Sequence, residues 1–172
     1  NGTDALYLAL RAHGIGAGDE VITTPYTFFA TSEVIDMVGA TPVFVDIRPD
    51  TYNIDVKADA KAVTPHTKAI IPVHIFGLTA DMDALESVLP KHVVIIEDAA
   101  CAAGAQYKNK SAGGLGHMGC FSLHPRKSIT CGEGGLVTTN DDDLAAAVDM
   151  YRNHGASISE ETRHQGPKPY EL

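Results

Sequence analysis

The run Val93-Val94-Ile95-Ile96-Glu97-Asp98 decides how this chain folds. Four consecutive apolar residues leave no polar face, so the segment reads as a strand buried in a sheet, and it ends in two adjacent carboxylates. Working outward, further strands are expected at Glu20–Thr24, stopped by Pro25, at Pro42–Asp46, read as buried, and at Lys68–His74. Beyond the central run, strands are expected at Gly119–Leu123 and Leu136–Thr139. Helical periodicity falls between them. A helix over Thr3–His13 carries Ala5, Leu6, Leu8, Ala9 and Ala12 and is ended by Gly14. Phe28–Val38 is ended by Gly39, and Val56–Val63 is capped by Asp55. Met82–Leu89 is a fourth helix, and Asp141–Tyr151 a fifth with three aspartates at its positive end. Apolar strands alternating with amphipathic helices give an α/β fold, a mostly parallel sheet covered by helices on both faces.

In such sheets ligands bind beyond the carboxyl ends of the strands, where Asp46, His74 and Asp98 all fall. Composition narrows the ligand. The 172 residues carry a formal net charge of −9, which argues against a nucleic-acid partner, since phosphate backbones need clustered Lys and Arg. No apolar run approaches the roughly 20 residues that span a membrane. Cys101, Cys120 and Cys131 are odd in number and form no CxxC, which suits a reducing cytoplasm. The eight histidines form no HExxH or other ligand-spaced pair, so no metal site is expected.

The chemistry concentrates in Phe121-Ser122-Leu123-His124-Pro125-Arg126-Lys127, followed by Gly132-Glu133-Gly134-Gly135. A lysine can form a Schiff base with an aldehyde. A carboxylate at a strand end can hold a pyridinium nitrogen, and Asn1-Gly2-Thr3-Asp4 at a helix start can cradle a phosphate. These are the three handles of a pyridoxal 5'-phosphate (PLP) site. Each residue also has a plainer reading. Lys127 could be a surface lysine, Asp98 the N-cap of a following helix, and Gly2-Thr3 an ordinary helix start. Ser122 could be a mere strand residue, and Phe28 a core residue, as Phe29 is expected to be.

Eight segments in order carry a resemblance: residues 1–6, 18–23, 42–46, 71–77, 97–100, 121–127, 132–135 and 152–155. Over about residues 1–155 the chain resembles the DegT/DnrJ/EryC1/StrS aminotransferases, PLP enzymes of the aspartate-aminotransferase fold (fold type I) that mostly aminate keto-sugar nucleotides. The resemblance implies that Lys127 binds the cofactor aldehyde and moves the proton, and that Asp98 faces the pyridine nitrogen. It places Gly2, Thr3 and Asp4 at the phosphate, Thr3 also through its hydroxyl, with the Ser122 hydroxyl opposite and Phe28 stacked on the ring. The residue three after the aspartate, commonly Gln or His, is Cys101 here. That position would meet the cofactor's phenolic oxygen, although a thiol is a weaker donor. Cys101 is read as slightly better suited to a small, buried, apolar role. Glu97 is read as structural, and His74, His124 and His154, which stand inside matching segments, each suit a packed structural role at least as well as a chemical one.

The resemblance further implies a keto-sugar nucleotide substrate, glutamate as amino donor, a homodimer and a cytoplasmic enzyme. Residues 1–155 would be part of a PLP-binding large domain, and 156–172 a polar loop leading to a missing C-terminal part. Such a fragment would be inactive alone. Two alternatives stand beside this: a PLP-binding regulator without turnover, and the family's dehydratase branch, which carries histidine where Lys127 stands. A simple nucleotide-binding domain would need a P-loop or GxGxxG after the first strand, and neither occurs.

Overall fold

The structure is a computed structural model that describes residues 1–156 and Glu161. Six strands form one sheet: β1 (Glu20–Thr23), β2 (Thr41–Phe44), β3 (Thr67–Ile70), β4 (Val94–Asp98), β7 (Met118–Ser122) and β8 (Gly135–Thr138). Their order is β2-β1-β3-β4-β7-β8, parallel throughout except for β8, which runs antiparallel to β7. Two further strands, β5 (Gln106–Tyr107) and β6 (Lys110–Ser111), make a separate hairpin.

The helices are α1 (Gly2–Ala12), α2 (Ala30–Met37), α3 (Val56–Ala62), α4 (Met82–Val88) and α5 (Asp142–Tyr151). They cover both faces, as the α/β pattern requires. On one face Leu6, Leu10, Val34 and Ile35 pack with Leu144 and Val148 against Ile71 and Ile96. On the other, Ile54, Met82 and Leu85 pack against Ile22, Ile70 and Ile95. Successive residues of β4 thus feed opposite cores, which is why Val93–Ile96 could carry no polar side chain. Complete burial of Leu10 alone removes enough apolar surface for about 2 kcal/mol of transfer free energy.

Helix ends follow the sequence signals. The Asn1 side chain accepts from the Asp4 N–H at 2.9 Å, and Asp55 and Asp141 cap α3 and α5 in the same way. Past α1 the chain turns through Gly14 in the left-handed region, and the Ile15 N–H returns to the Leu10 carbonyl at 3.1 Å.

Two expectations need correction, and one alternative reading drops out. The Pro42–Asp46 strand is not buried. As β2 it lies at the sheet edge, stops at Phe44, and leaves Thr41 and Phe44 exposed. Phe29 is not core but 68% exposed. Asp98 starts no helix, because turns follow it. The β5–β6 hairpin escaped the sequence reading. Its strands are two residues long, and its turn uses Lys108 and Asn109 at positive φ rather than the usual Asn-Gly. The loop expected over 156–172 lies outside the described residues apart from Ala156 and Glu161, so the domain division expected there has no structural counterpart to set beside it.

Candidate active site

Parallel strands all end on one side, and the chemistry of the chain gathers there. A cavity of about 580 Å³ opens beyond the carboxyl ends of β3, β4 and β7, lined by Gly2, Thr3, Phe28, Asp98, Cys101, Ser122 and Lys127. A wider groove of about 940 Å³ runs between α1, β8 and α5. Its Asp149 and Arg152 pair with each other at 2.6 Å. The smaller cavity is where unmatched groups converge.

Asp98 sits at the inner wall, 5% exposed. One carboxylate oxygen accepts from the Thr31 hydroxyl at 2.7 Å, the other from the Ala100 N–H at 3.1 Å. Thr31 is fully buried on α2, and its hydroxyl also meets that of Thr27 at 2.8 Å. Burial pushes the Asp98 carboxyl above its usual range, although the Thr31 and Ala100 bonds and the positive charge of Lys127 pull the other way. Here is a buried carboxylate whose two hydrogen bonds and nearby lysine do not fully compensate its desolvation. A protonated ring nitrogen would supply the missing cation.

Glu97, one residue earlier, points to the opposite face and is completely buried. It accepts from the N–H groups of Gly113, Leu115 and Gly116, each at 2.7 Å, and from His74 at 2.9 Å. The Ala80 N–H donates to His74 Nδ1 at 3.1 Å, so the His74 proton lies on Nε2 and points at Glu97. Burial pushes Glu97 up, but its hydrogen bonds to His74, Gly116 and Gly113 outweigh that and leave the carboxyl below its usual range. The structural reading of Glu97 and His74 agrees with this network, which pins residues 113–116 beneath β4.

The start of α1 meets the end of β7 at the cavity floor. A Cβ on Gly2 would lie 2.8 Å from the Ser122 Cβ, so only glycine lets the helix start approach this closely. Gly135 is under the same constraint, since a Cβ there would lie 2.0 Å from the Asn1 carbonyl oxygen. Among the described residues the N–H groups of Gly2 and Thr3 have no acceptor, and the Ser122 hydroxyl faces them. Two free N–H groups at the positive end of an 11-residue helix, with two hydroxyls, fit a phosphate. Asp4 does not join them. Its N–H is bound to the Asn1 side chain and its side chain lines the wider groove, contrary to expectation.

Lys127 enters from the loop between β7 and β8. Bonds from Leu123 N–H to the Gly134 carbonyl (2.9 Å) and from Cys131 N–H to the Leu123 carbonyl (3.2 Å) close that loop. His124 Nδ1 accepts from the Arg126 N–H at 3.1 Å, which stiffens the turn before the lysine and gives His124 a structural part. His154 stands exposed at positive φ past α5, away from the cavity. The Lys127 amine reaches Cys101, with Nζ 3.2 Å from Sγ. Cys101 is exposed in the cavity, so its reading as a buried apolar residue is corrected. Phe28 also borders the cavity, 76% exposed, and offers a free aromatic face rather than core packing. Thr31 was missed in the sequence. The one available signal was a threonine on the apolar stripe of α2, beside Ala30, Val34 and Ile35.

Among the described residues no cluster of His, Cys, Asp and Glu could hold a metal ion, and no helix is long and apolar enough to cross a membrane.

The arrangement has counterparts. A model of the DegT/DnrJ/EryC1/StrS aminotransferase family matches residues 1–168. A pleiotropic regulatory protein of Geobacillus stearothermophilus is 51% identical over 158 residues, covering 91% of this chain and 42% of that protein. The GDP-perosamine synthase of Caulobacter vibrioides is 50% identical over 156 residues, covering 90% and 42%. The crystal structure of an aminotransferase from Psychrobacter cryohalolentis superimposes with a TM-score of 0.90 at 43% identity, covering 100% of this chain and 44% of that one. The chain therefore spans less than half the length of these relatives.

Proposed function

The chain belongs to the DegT/DnrJ/EryC1/StrS aminotransferase family, and we propose that its residues 1–155 are part of the PLP-binding large domain of an enzyme that aminates a keto-sugar nucleotide, with glutamate as donor. One observation carries this reading. An amine, Lys127, and an under-compensated buried carboxylate, Asp98, open into the same cavity as the free N–H groups of α1.

PLP, when bound, supplies an aldehyde that condenses with amines and an electron-poor ring that stabilises negative charge on the neighbouring carbon. The residues present fit each part of it. The Gly2 and Thr3 N–H groups, the Thr3 hydroxyl and the Ser122 hydroxyl would bind the phosphate, favoured by the helix end. Asp98 would hold the proton on the ring nitrogen, and Thr31 fixes that carboxylate's orientation. Phe28 would cover one ring face and keep water from it. Lys127 Nζ would anchor the cofactor covalently and, once released, take and return a proton at the same atom. Cys101 stands where the family commonly has Gln or His and would lie beside the phenolic oxygen. The full enzyme is read as a cytoplasmic homodimer.

The test is transfer itself. The full-length enzyme supplied with PLP, glutamate and a panel of keto-sugar nucleotides should form an amino sugar nucleotide, and Lys127→Ala should abolish it. Stoichiometric PLP binding with no transfer to any sugar would instead favour a regulator. The Geobacillus stearothermophilus relative is named a pleiotropic regulatory protein, which makes that the reading to exclude.

A further inference from the structure

Cys101 and Lys127 form a contact that amine transfer does not require. Sγ and Nζ are 3.2 Å apart, and both border the open cavity. A small oxidant can therefore reach the sulfur with an amine already within bonding approach. The other two thiols lack this setting. Cys120 is buried and its thiol is pushed well above the usual range, mainly by burial, which leaves it unreactive. Cys131 is exposed, but its sulfur faces the Glu133 carbonyl at 3.3 Å, a group that cannot attack it.

We infer that Cys101 and Lys127 are an oxidative modification site at which hydrogen peroxide joins the two side chains through a sulfur–nitrogen bond. In the first step the Cys101 thiolate attacks peroxide. The O–O bond breaks, sulfur gains oxygen as a sulfenic acid, and hydroxide leaves. In the second the neutral Lys127 amine attacks that sulfur, the S–O bond breaks, and water leaves with a proton from the amine. The product is a sulfenamide, two hydrogens lighter than the starting pair, with sulfur oxidised by two electrons and peroxide reduced to water. A thiol reverses it by attacking sulfur and releasing the amine as a mixed disulfide forms, and a second thiol then restores Cys101.

The cross-link stands on the geometry alone, whereas its consequence rests on the role proposed for Lys127. A tied amine cannot condense with the cofactor aldehyde, and a cofactor held on Lys127 denies the amine to the sulfur. Oxidation would thus exclude PLP reversibly, and bound PLP would protect the site.

Peptide mapping of peroxide-treated, cofactor-free protein tests this. The peptide 92–108 should appear joined to the peptide carrying Lys127, with the loss of two hydrogens, and dithiothreitol should separate them. Cys131→Ser should leave the product in place, whereas Cys101→Ser and Lys127→Arg should each eliminate it. Oxidation of Cys101 to sulfinic or sulfonic acid with no joined peptide would overturn the proposal, as would a Cys101–Cys131 disulfide in place of the sulfenamide. A joined peptide that forms equally well in PLP-saturated protein would uphold the cross-link and refute the cofactor role of Lys127.

Discussion

Glu97 and Asp98 are neighbours in the chain and opposites in chemistry. Both are buried at the end of β4, and strand alternation sends them to opposite faces. Glu97 meets three backbone N–H groups and the His74 ring, and its carboxyl lies below the usual range. Asp98 meets one hydroxyl and one N–H, and its carboxyl lies above it. Burial alone therefore does not mark a functional carboxylate. The number of donors already committed to it does. A saturated carboxylate holds structure together, and an under-compensated one waits for a cation.

Substitutions at the two carboxylates and at Thr31 test this contrast. Asp98→Asn should have the largest effect, lowering turnover on the order of 10²–10³-fold, as removal of a preorganised charge commonly does. Because the folded Asp98 carboxyl is raised, its contribution to stability is present below the unfolded value and lost as pH rises through the folded one. Asp98→Asn should therefore make the cofactor-free protein no less stable at pH 8, and thermal melts would show it. A marked loss of stability with normal turnover would reverse the assignment of the two carboxylates.

Glu97→Gln should do the opposite. Its amide NH₂ would face N–H donors, leaving at least one buried and unpaired, at a cost of about 3 kcal/mol. Denaturant midpoints should fall, with turnover per folded molecule little changed. The sign of its pH dependence is also opposite. The contribution of Glu97 is present above the unfolded glutamate value and is lost as pH falls through its lowered folded value, so the wild type should lose it on acidification.

Thr31→Val should be milder. Losing one hydrogen bond costs about 1 kcal/mol. The Asp98 carboxyl, deprived of the 2.7 Å donor that holds it down, should titrate still higher. Infrared carboxyl absorption of the cofactor-free protein would follow that shift, and an unchanged titration would mean the hydroxyl does not donate to Asp98.

Much of this was legible in the sequence because the fold writes itself in runs of four or five residues. Val93–Ile96 could only be an interior strand, and the alternation of runs gave a mostly parallel, doubly covered sheet. The edge position of β2 was not legible, because Pro42-Val-Phe-Val is as apolar as an interior strand and sheet order is a property of the whole chain. At the site, Lys127, Ser122 and the Gly2-Thr3 turn came from a motif pattern, and the structure brings them to one cavity. Asp4 was over-read, since only geometry reveals that Asn1 already holds its N–H. The role of Thr31 and the contact of Cys101 stayed hidden because each depends on a partner far away in the chain, Asp98 in one case and Lys127 in the other.

In the proposed function Lys127 is the amine that carries the cofactor. Borohydride reduction of PLP-treated protein followed by peptide mapping tests it directly. The reduced pyridoxyl group should appear on Lys127 alone, and be missing there in Asp98→Asn only to the extent that binding itself is weakened. Pyridoxyl on Lys108, Lys110 or another lysine, with Lys127 unmodified, would contradict it.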